Sequence, residues 1–183
     1  LAATEVYEEK FDDPARVRPM LASTTDAPPD KDLRNPALVY EPKYDGIRAL
    51  VSLEPAQPST RVRLWSRLGN DKTSQFPEVV KALKEFGKRL RHPVLLDGEI
   101  VALDERGEPA GFQRLQGRMH LAGARDIARQ AEVQRAAFIA FDMLREGSED
   151  LRPLILPDRR ARLERLFGAS GPAEARHGQF AAG

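Results

Sequence analysis

Apolar positions recur at two different periods along the chain, and the switches between them divide it into short segments. Rough alternation over Arg48-Ala49-Leu50-Val51-Ser52-Leu53 and Arg61-Val62-Arg63-Leu64-Trp65, with β-branched and aromatic residues, predicts two strands. The turn formers of Glu54-Pro55-Ala56-Gln57-Pro58-Ser59 lie between them, so a hairpin is expected. A further strand is predicted over residues 37–41, leading into a turn at Lys43. From Pro77 the period lengthens: Val79, Val80, Leu83, Phe86 and Leu90 recur at helical spacing. Pro77 suits the first helical position, Glu78 the positive first turn, and Lys and Arg crowd the end. Val94-Leu95-Leu96 and Ile100-Val101-Ala102-Leu103 flank Asp97-Gly98-Glu99, which predicts either one buried strand or a strand pair. Residues 104–109 read as a turn, 112–119 as a short helix and 136–144 as a strongly apolar strand. A last helix starts near Pro157 and buries Leu163, Leu166 and Phe167.

The ends of the chain are less patterned. Pro14, Pro19, Pro28, Pro29 and Pro36 punctuate residues 1–36, where Arg18-Pro19-Met20-Leu21-Ala22 is an apolar knot suited to docking on a core. The Ala/Gly-rich tail over 168–183 is expected to fray. Hairpin-linked strands with few helices between them predict an α+β fold, with mostly antiparallel sheets and flanking helices.

Composition narrows the functional classes. At 183 residues the chain can hold one domain with a sizeable core. Lys+Arg (29) and Asp+Glu (28) nearly cancel, so net charge alone argues for no polyanionic partner and any nucleic-acid footprint must be local. The absence of cysteine excludes disulfides, thiolate zinc sites and cysteine nucleophiles, and it fits a reducing, cytoplasmic setting. No apolar run is long enough for a membrane span, so no membrane partner is expected. The start at Leu1 rather than Met suggests a piece of a longer polypeptide.

The chemistry concentrates in Glu41-Pro42-Lys43-Tyr44-Asp45-Gly46-Ile47-Arg48. An amine, a carboxylate, a glycine and a guanidinium within six residues suit an amine that attacks a phosphate. Such an amine must lose its proton, which a nearby cation, burial or a metal promotes. Asp45 can hold the amine or a divalent metal, Gly46 permits close approach of the backbone, and Arg48 offers a fork of donors to ribose or phosphate. A charged surface turn would read the same way when taken alone. Ser66-Arg67-Leu68-Gly69-Asn70 puts an arginine beside a glycine turn at a strand end, where it reaches a phosphate or is simply solvated. Asp97-Gly98-Glu99 lies between apolar runs, so at least one carboxylate needs a metal, a ribose hydroxyl or a buried cation, unless the segment is a solvated hairpin turn. Phe141 either stacks on a flat base or belongs to the core. His92, His120 and His177 lack metal-ligand spacing, and Gly107-Glu108-Pro109-Ala110-Gly111 lacks the ending of a phosphate loop. The basic runs over 81–91 and 159–165 read as polar helix faces or as duplex-tracking surfaces.

Taken in order, these motifs resemble the covalent nucleotidyltransferases, and most closely the adenylation domain of ATP-dependent DNA ligases of the bacterial ligase D type. The matching stretches are the Lys43 octapeptide, Ser66-Arg67-Leu68-Gly69-Asn70-Asp71, Phe76-Pro77-Glu78, Leu96-Asp97-Gly98-Glu99-Ile100-Val101 and Ala140-Phe141-Asp142, with Arg18-Pro19-Met20-Leu21-Ala22 as an opening. They cover about residues 16–167. The resemblance implies a nucleotidyltransferase (ATP-grasp-like) core, with residues 1–15 an irregular extension and 16–183 a partial adenylation domain. It implies that Lys43 carries AMP through a phosphoramidate, Glu41 accepts a hydrogen bond from adenine, and Arg48 grips the ribose. Arg67 contacts the nucleotide or a 5′-phosphate, Glu99 binds ribose or metal, Asp45 is a second metal ligand, and Phe141 stacks on adenine. ATP with Mg²⁺ or Mn²⁺ is the implied cofactor set. Nicked or broken duplex DNA is the implied partner, alongside end-joining proteins or fused polymerase and phosphoesterase domains, in a bacterial cytoplasm at the nucleoid.

The chain departs from the family pattern at Leu68, where asparagine is common. It also shows no Glu-Gly-x-x-x-Lys motif, lysine-rich strand or OB-fold before Gly183. The expectation is therefore a truncated domain that cannot seal nicks and adenylates itself poorly. Alternatives are an RNA ligase, an mRNA-capping type transferase, or a non-catalytic nucleotide- or DNA-binding fragment.

Overall fold

The computed structural model describes residues 16–22 and 40–168, and the backbone of 179–180. In chain order these form β1 (Ile47–Glu54), β2 (Arg61–Ser66), α1 (Pro77–Gly87), β3 (Val94–Leu103), β4 (Pro109–Ala110), α2 (Gln113–Met119), α3 (Ala124–Val133), β5 (Ala136–Glu146), β6 (Glu149–Asp150), α4 (Leu156–Gly168) and β7 (Gln179–Phe180). The sheet runs β2-β1-β3-β5-β6, with β4 on β3 and β7 on β5, and every pairing is antiparallel. The α+β expectation holds. The expected hairpin is present, with Glu54 opposite Arg61 across the turn.

Strand β3 sits at the centre, and it settles the choice left open for residues 94–103. It is one strand, and all of it except Glu99 is buried. A strand covered on both faces loses its alternation and reads as a continuous apolar run, which is why the sequence pattern could not fix its length. Gly98 lets β5 come close: a Cβ there would lie 2.3 Å from the Ile139 carbonyl oxygen and 2.5 Å from the Phe138 ring.

The two faces of the sheet differ. Ala49, Val51, Leu53, Leu64, Leu96, Ile100, Phe138 and Met143 point to the main core, where α1 contributes Val79 and Leu83 and α4 contributes Leu163 and Phe167. Phe86 and Phe167 bring the two helices together, with ring centroids 5.1 Å apart. On the other face two small apolar clusters lie apart: Leu50, Leu95 and Leu144 in one, Val101, Leu103, Ala137 and Ile139 in the other. Val17 joins the first cluster, but of the 18–22 knot expected to dock on the core only Pro19 is buried; Arg18, Met20, Leu21 and Ala22 stay exposed. Tyr44 packs against the second.

Among the described residues, Arg118 of α2 is the largest fully buried side chain. Its guanidinium donates to Glu78 in the first turn of α1 and to the carbonyls of Gln130 (3.5 Å) and Gln134 at the end of α3, and it lies over the Phe76 ring at 5.1 Å. One side chain thus ties three helices together.

Three expectations change. Residues 37–39 of the predicted first strand lie outside the described residues, and Tyr40 and Glu41 are not in a strand; Pro42 has no N–H to give a ladder. Lys43 therefore precedes the strand β1 by a short irregular segment. Pro109, the last residue of the turn predicted over 104–109, pairs with β3 together with Ala110 as β4. Helix α3 is missed in the sequence because its apolar stripe, Ala124, Ile127, Ala128 and Ala131, carries one large residue, and only Ile127 is buried. Of the tail expected to fray over 168–183, Gly168 closes α4 and 179–180 form β7; the rest lies outside the described residues. Among the described residues no helix is long and apolar enough to cross a membrane.

Removing Arg118 would leave Glu78 without its cation in a mostly buried setting. Arg118→Ala is expected to cost about 3–5 kcal/mol in urea denaturation, and Arg118→Met combined with Glu78→Leu to recover most of it. Equal losses in the single and double variants would contradict this account.

Candidate active site

Period-two alternation sends Arg48 of β1 and Asp97 and Glu99 of β3 to the face away from the main core. They form a polar band between the two small apolar clusters. The register sets their spacing. Arg48 stands opposite Glu99, and Ala49 opposite Gly98 on one side and Ser66 on the other. Arg67 therefore leaves β2 one residue beyond the row that holds Ala49, at the end of the strand toward Arg48.

Asp97 has no exposed side-chain surface, whereas Arg48 keeps 26% of its own. Arg48 Nε and Nη2 donate to Asp97 Oδ1 and Oδ2, both at 2.8 Å, and Nη2 also donates to the Met20 carbonyl at 3.1 Å. Burial pushes the Asp97 carboxyl up, against the pull of Arg48. The same bonds hold the Arg48 guanidinium above its ordinary value. The guanidinium also lies over the Phe141 ring, 4.7 Å from its centroid.

Phe141 owes its position to an irregularity in β5. Asp97 pairs with Asp142 and Gly98 with Ala140, so Phe141 is the extra residue of a β-bulge. Bulges re-aim side chains. Next to it, the buried Asp142 takes three contacts from Arg159 of α4: Nε to Oδ1 at 2.9 Å and Oδ2 at 3.1 Å, and Nη2 to Oδ2 at 2.8 Å. Arg159 Nη1 closes on the Leu154 carbonyl at 2.5 Å.

Glu99 is partly buried, and burial raises its carboxyl to about 7. Asp97 and Asp45 add to the rise, while Arg48 and the Gly46 N–H oppose it. Gly46 has no room for a side chain, since a Cβ would lie 2.2 Å from the Ile100 carbonyl oxygen. This close approach brings the end of the Lys43 segment against β3. Asp45 Oδ2 accepts from the Phe112 N–H at 3.0 Å.

Of the residues singled out in the sequence, the fold brings Arg48, Glu99 and Phe141 onto one band, with Asp45 at its edge. Glu41 reaches the band through Arg160, whose Nη1 donates to Glu41 Oε1 at 3.2 Å and to the Phe141 carbonyl at 3.1 Å. Lys43 is exposed, in a stretch without regular structure, and Arg67 is exposed on the turn closed by Ser66 and Asn70. Neither side chain is drawn into the band. The residues given no role at the site in the sequence are Asp142, Arg159 and Arg160, along with Asp97 as the specific partner of Arg48. Adjacent arginines at the start of a helix, on a chain with an aspartate ending an apolar strand, were the available signal. Among the described residues no group of three or more His, Asp or Glu stands together as a metal cluster.

The domain described as the ATP dependent DNA ligase domain matches residues 19–180. DNA ligase C2 of Mycolicibacterium smegmatis is 38% identical over 157 residues, covering 85% of this chain and 40% of that protein. The multifunctional non-homologous end joining protein LigD of Pseudomonas aeruginosa is 36% identical over 154 residues, covering 84% of this chain and 16% of that protein. The solved ligase domain of LigD from M. tuberculosis superposes with a TM-score of 0.53 at 33% identity, over 70% of this chain and 36% of that one. The chain belongs to the ATP-dependent DNA ligase domain family. It spans 40% or less of the length of these relatives.

Glu99 binds its proton more tightly in the folded chain than in the unfolded one. Its protonation therefore favours folding below about pH 4.5, and that contribution is lost as pH rises through about 7. Glu99→Gln is expected to stabilise the chain at pH 8 by on the order of 1–2 kcal/mol, discounted for solvent screening, and to do little at pH 4. Denaturation midpoints at the two pH values check this; a pH-independent difference would contradict it.

Proposed function

We propose that the chain supplies the nucleotide-binding face of an ATP-dependent DNA ligase, with Lys43 as the nucleophile that takes AMP. The observation that carries the reading is the convergence of Arg48, Glu99 and Phe141 on one polar band, entered by the segment that bears Lys43. Arg48 covers one side of the Phe141 ring, and adenine stacks on the other. Glu41 accepts from the 6-amino group, and Arg48, held by Asp97, directs its remaining donor capacity to the ribose. Glu99 takes a ribose hydroxyl or a metal. Arg67, exposed at the end of β2, meets the nucleotide or a DNA 5′-phosphate.

Lys43 Nζ, deprotonated, attacks the α-phosphorus of ATP; a P–N bond forms and pyrophosphate leaves. AMP then passes to a DNA 5′-phosphate, and a 3′-hydroxyl displaces it. Nicked or broken duplex DNA is the substrate, and DNA repair by end joining, at the bacterial nucleoid with end-joining proteins or fused polymerase and phosphoesterase domains, is the setting. Asp45 lies close enough to Glu99 for the two charges to interact, an oxygen pair that fits Mg²⁺ or Mn²⁺ of the kind that completes its shell with nucleotide phosphates. Asp45 and Glu99 would hold it, and when bound it offsets charge on the transferring phosphoryl group.

Phe141→Ala is expected to weaken ATP binding about tenfold or more, the size of one base stack. On long incubation with ATP and Mn²⁺, intact mass and peptide mapping are expected to find AMP on Lys43 alone, and none in Lys43→Ala. AMP on a different residue, or ATP binding indifferent to Phe141→Ala, would contradict the proposal.

A further inference from the structure

Two consecutive arginines of α4 grip two consecutive residues of the β5 bulge, but they do so differently. Arg159 is buried and spends its guanidinium on the Asp142 carboxylate and the Leu154 carbonyl. Arg160 is 42% exposed, and its Nη1 bridges the Phe141 carbonyl at 3.1 Å and Glu41 Oε1 at 3.2 Å. Its Nε donates to Glu164 Oε1 at 3.3 Å, one turn further along the same helix, which steadies the fork. Glu41 lies 119 residues away in sequence and on a stretch with no regular structure, so its own backbone does little to fix its carboxylate. An ion pair this exposed adds little to folding stability. Its effect is geometric: one guanidinium nitrogen sets the distance between the carbonyl of the stacking residue and the carboxylate beside it.

We propose that Arg160 is a positioning residue for base selection, fixing the Glu41 carboxylate against the edge of a purine stacked on Phe141. This rests on the assignment of Phe141 and Glu41 to the base given above. The selectivity follows from donor and acceptor counts. An ionised carboxylate only accepts hydrogen bonds. Oε1 is engaged by Arg160, and Oε2 makes no hydrogen bond among the described residues, which leaves it to accept from a 6-amino group. A 6-oxo purine presents an acceptor there instead, and two acceptors facing each other leave both unpaired. Arg160 also holds the carboxylate in place; without it the glutamate can swing away, and the penalty against a 6-oxo base disappears with it.

The test is equilibrium binding of ATP and ITP to this chain, since ITP replaces the 6-amino group by a 6-oxo group. Wild type is expected to prefer ATP. Arg160→Ala is expected to lower the ATP-to-ITP affinity ratio about tenfold, the scale of one hydrogen bond to a charged group, with a melting temperature close to wild type. Arg160→Lys, which keeps the charge and loses the planar fork, falls between them. In a Glu41→Ala background, Arg160→Ala is expected to change the ratio no further. An unchanged ratio in Arg160→Ala overturns the proposal, as does a loss that persists without Glu41. Wild type that binds both nucleotides equally overturns it too. Wild type that binds neither refutes the underlying nucleotide assignment, a result distinct from the other outcomes.

Discussion

The pair between Arg48 and Asp97 is the interaction on which the rest of the polar band depends. A carboxylate with no solvent exposure, between the two central strands of a sheet, is tolerated only when its charge is met and its lone pairs are used. Arg48 does both with two bonds of 2.8 Å, and in doing so loses its own freedom. Its guanidinium is held over the Phe141 ring and beside Glu99, its register partner. Asp142 lies opposite Asp97 across the strands, and Arg159 meets its charge in turn. The order cation, carboxylate, carboxylate, cation leaves the two inner acids close together only because both outer arginines are present.

The backbone supplies the second constraint. Gly46 and Gly98 allow carbonyls within distances that any side chain would forbid, so the Lys43 segment and β5 both come close against β3. The bulge at Phe141 then shifts the phase of β5, which brings an aromatic ring to the band and a buried carboxylate beside it. Burial does the electrostatic tuning. Glu99 lies among Asp97, Asp45 and low-dielectric surroundings, and its proton affinity rises despite Arg48 opposite.

Much of this was legible in the sequence. The hairpin, the Pro77 helix and the apolar strand near residue 138 follow from periodicity and turn chemistry, and each is present. Asp97-Gly98-Glu99 announced that a carboxylate would need a partner, because it interrupts an apolar run. Which cation would meet it was not legible, since Arg48 and Asp97 are 49 residues apart and only the strand register joins them. The bulge was equally hidden, as an extra residue leaves no mark on an apolar stretch. The apolar stripe of helix α3 is three alanines and Ile127, too small to read as a core face, and Arg118 reads as one more surface charge until three helices close around it. The strand over residues 37–41 failed at its described end because Glu41 breaks the apolar run and Pro42 after it has no N–H to give a ladder.

A double-mutant cycle between Arg48 and Asp97 tests the central claim most directly, with stability and ATP binding measured on the same four proteins. The account gives a coupling of about 2–3 kcal/mol, with Arg48→Met combined with Asp97→Leu regaining stability lost in Asp97→Leu's partner variant Arg48→Met, yet binding ATP no better than it. Additive effects within about 0.5 kcal/mol, or full ATP affinity in the double variant, would contradict it.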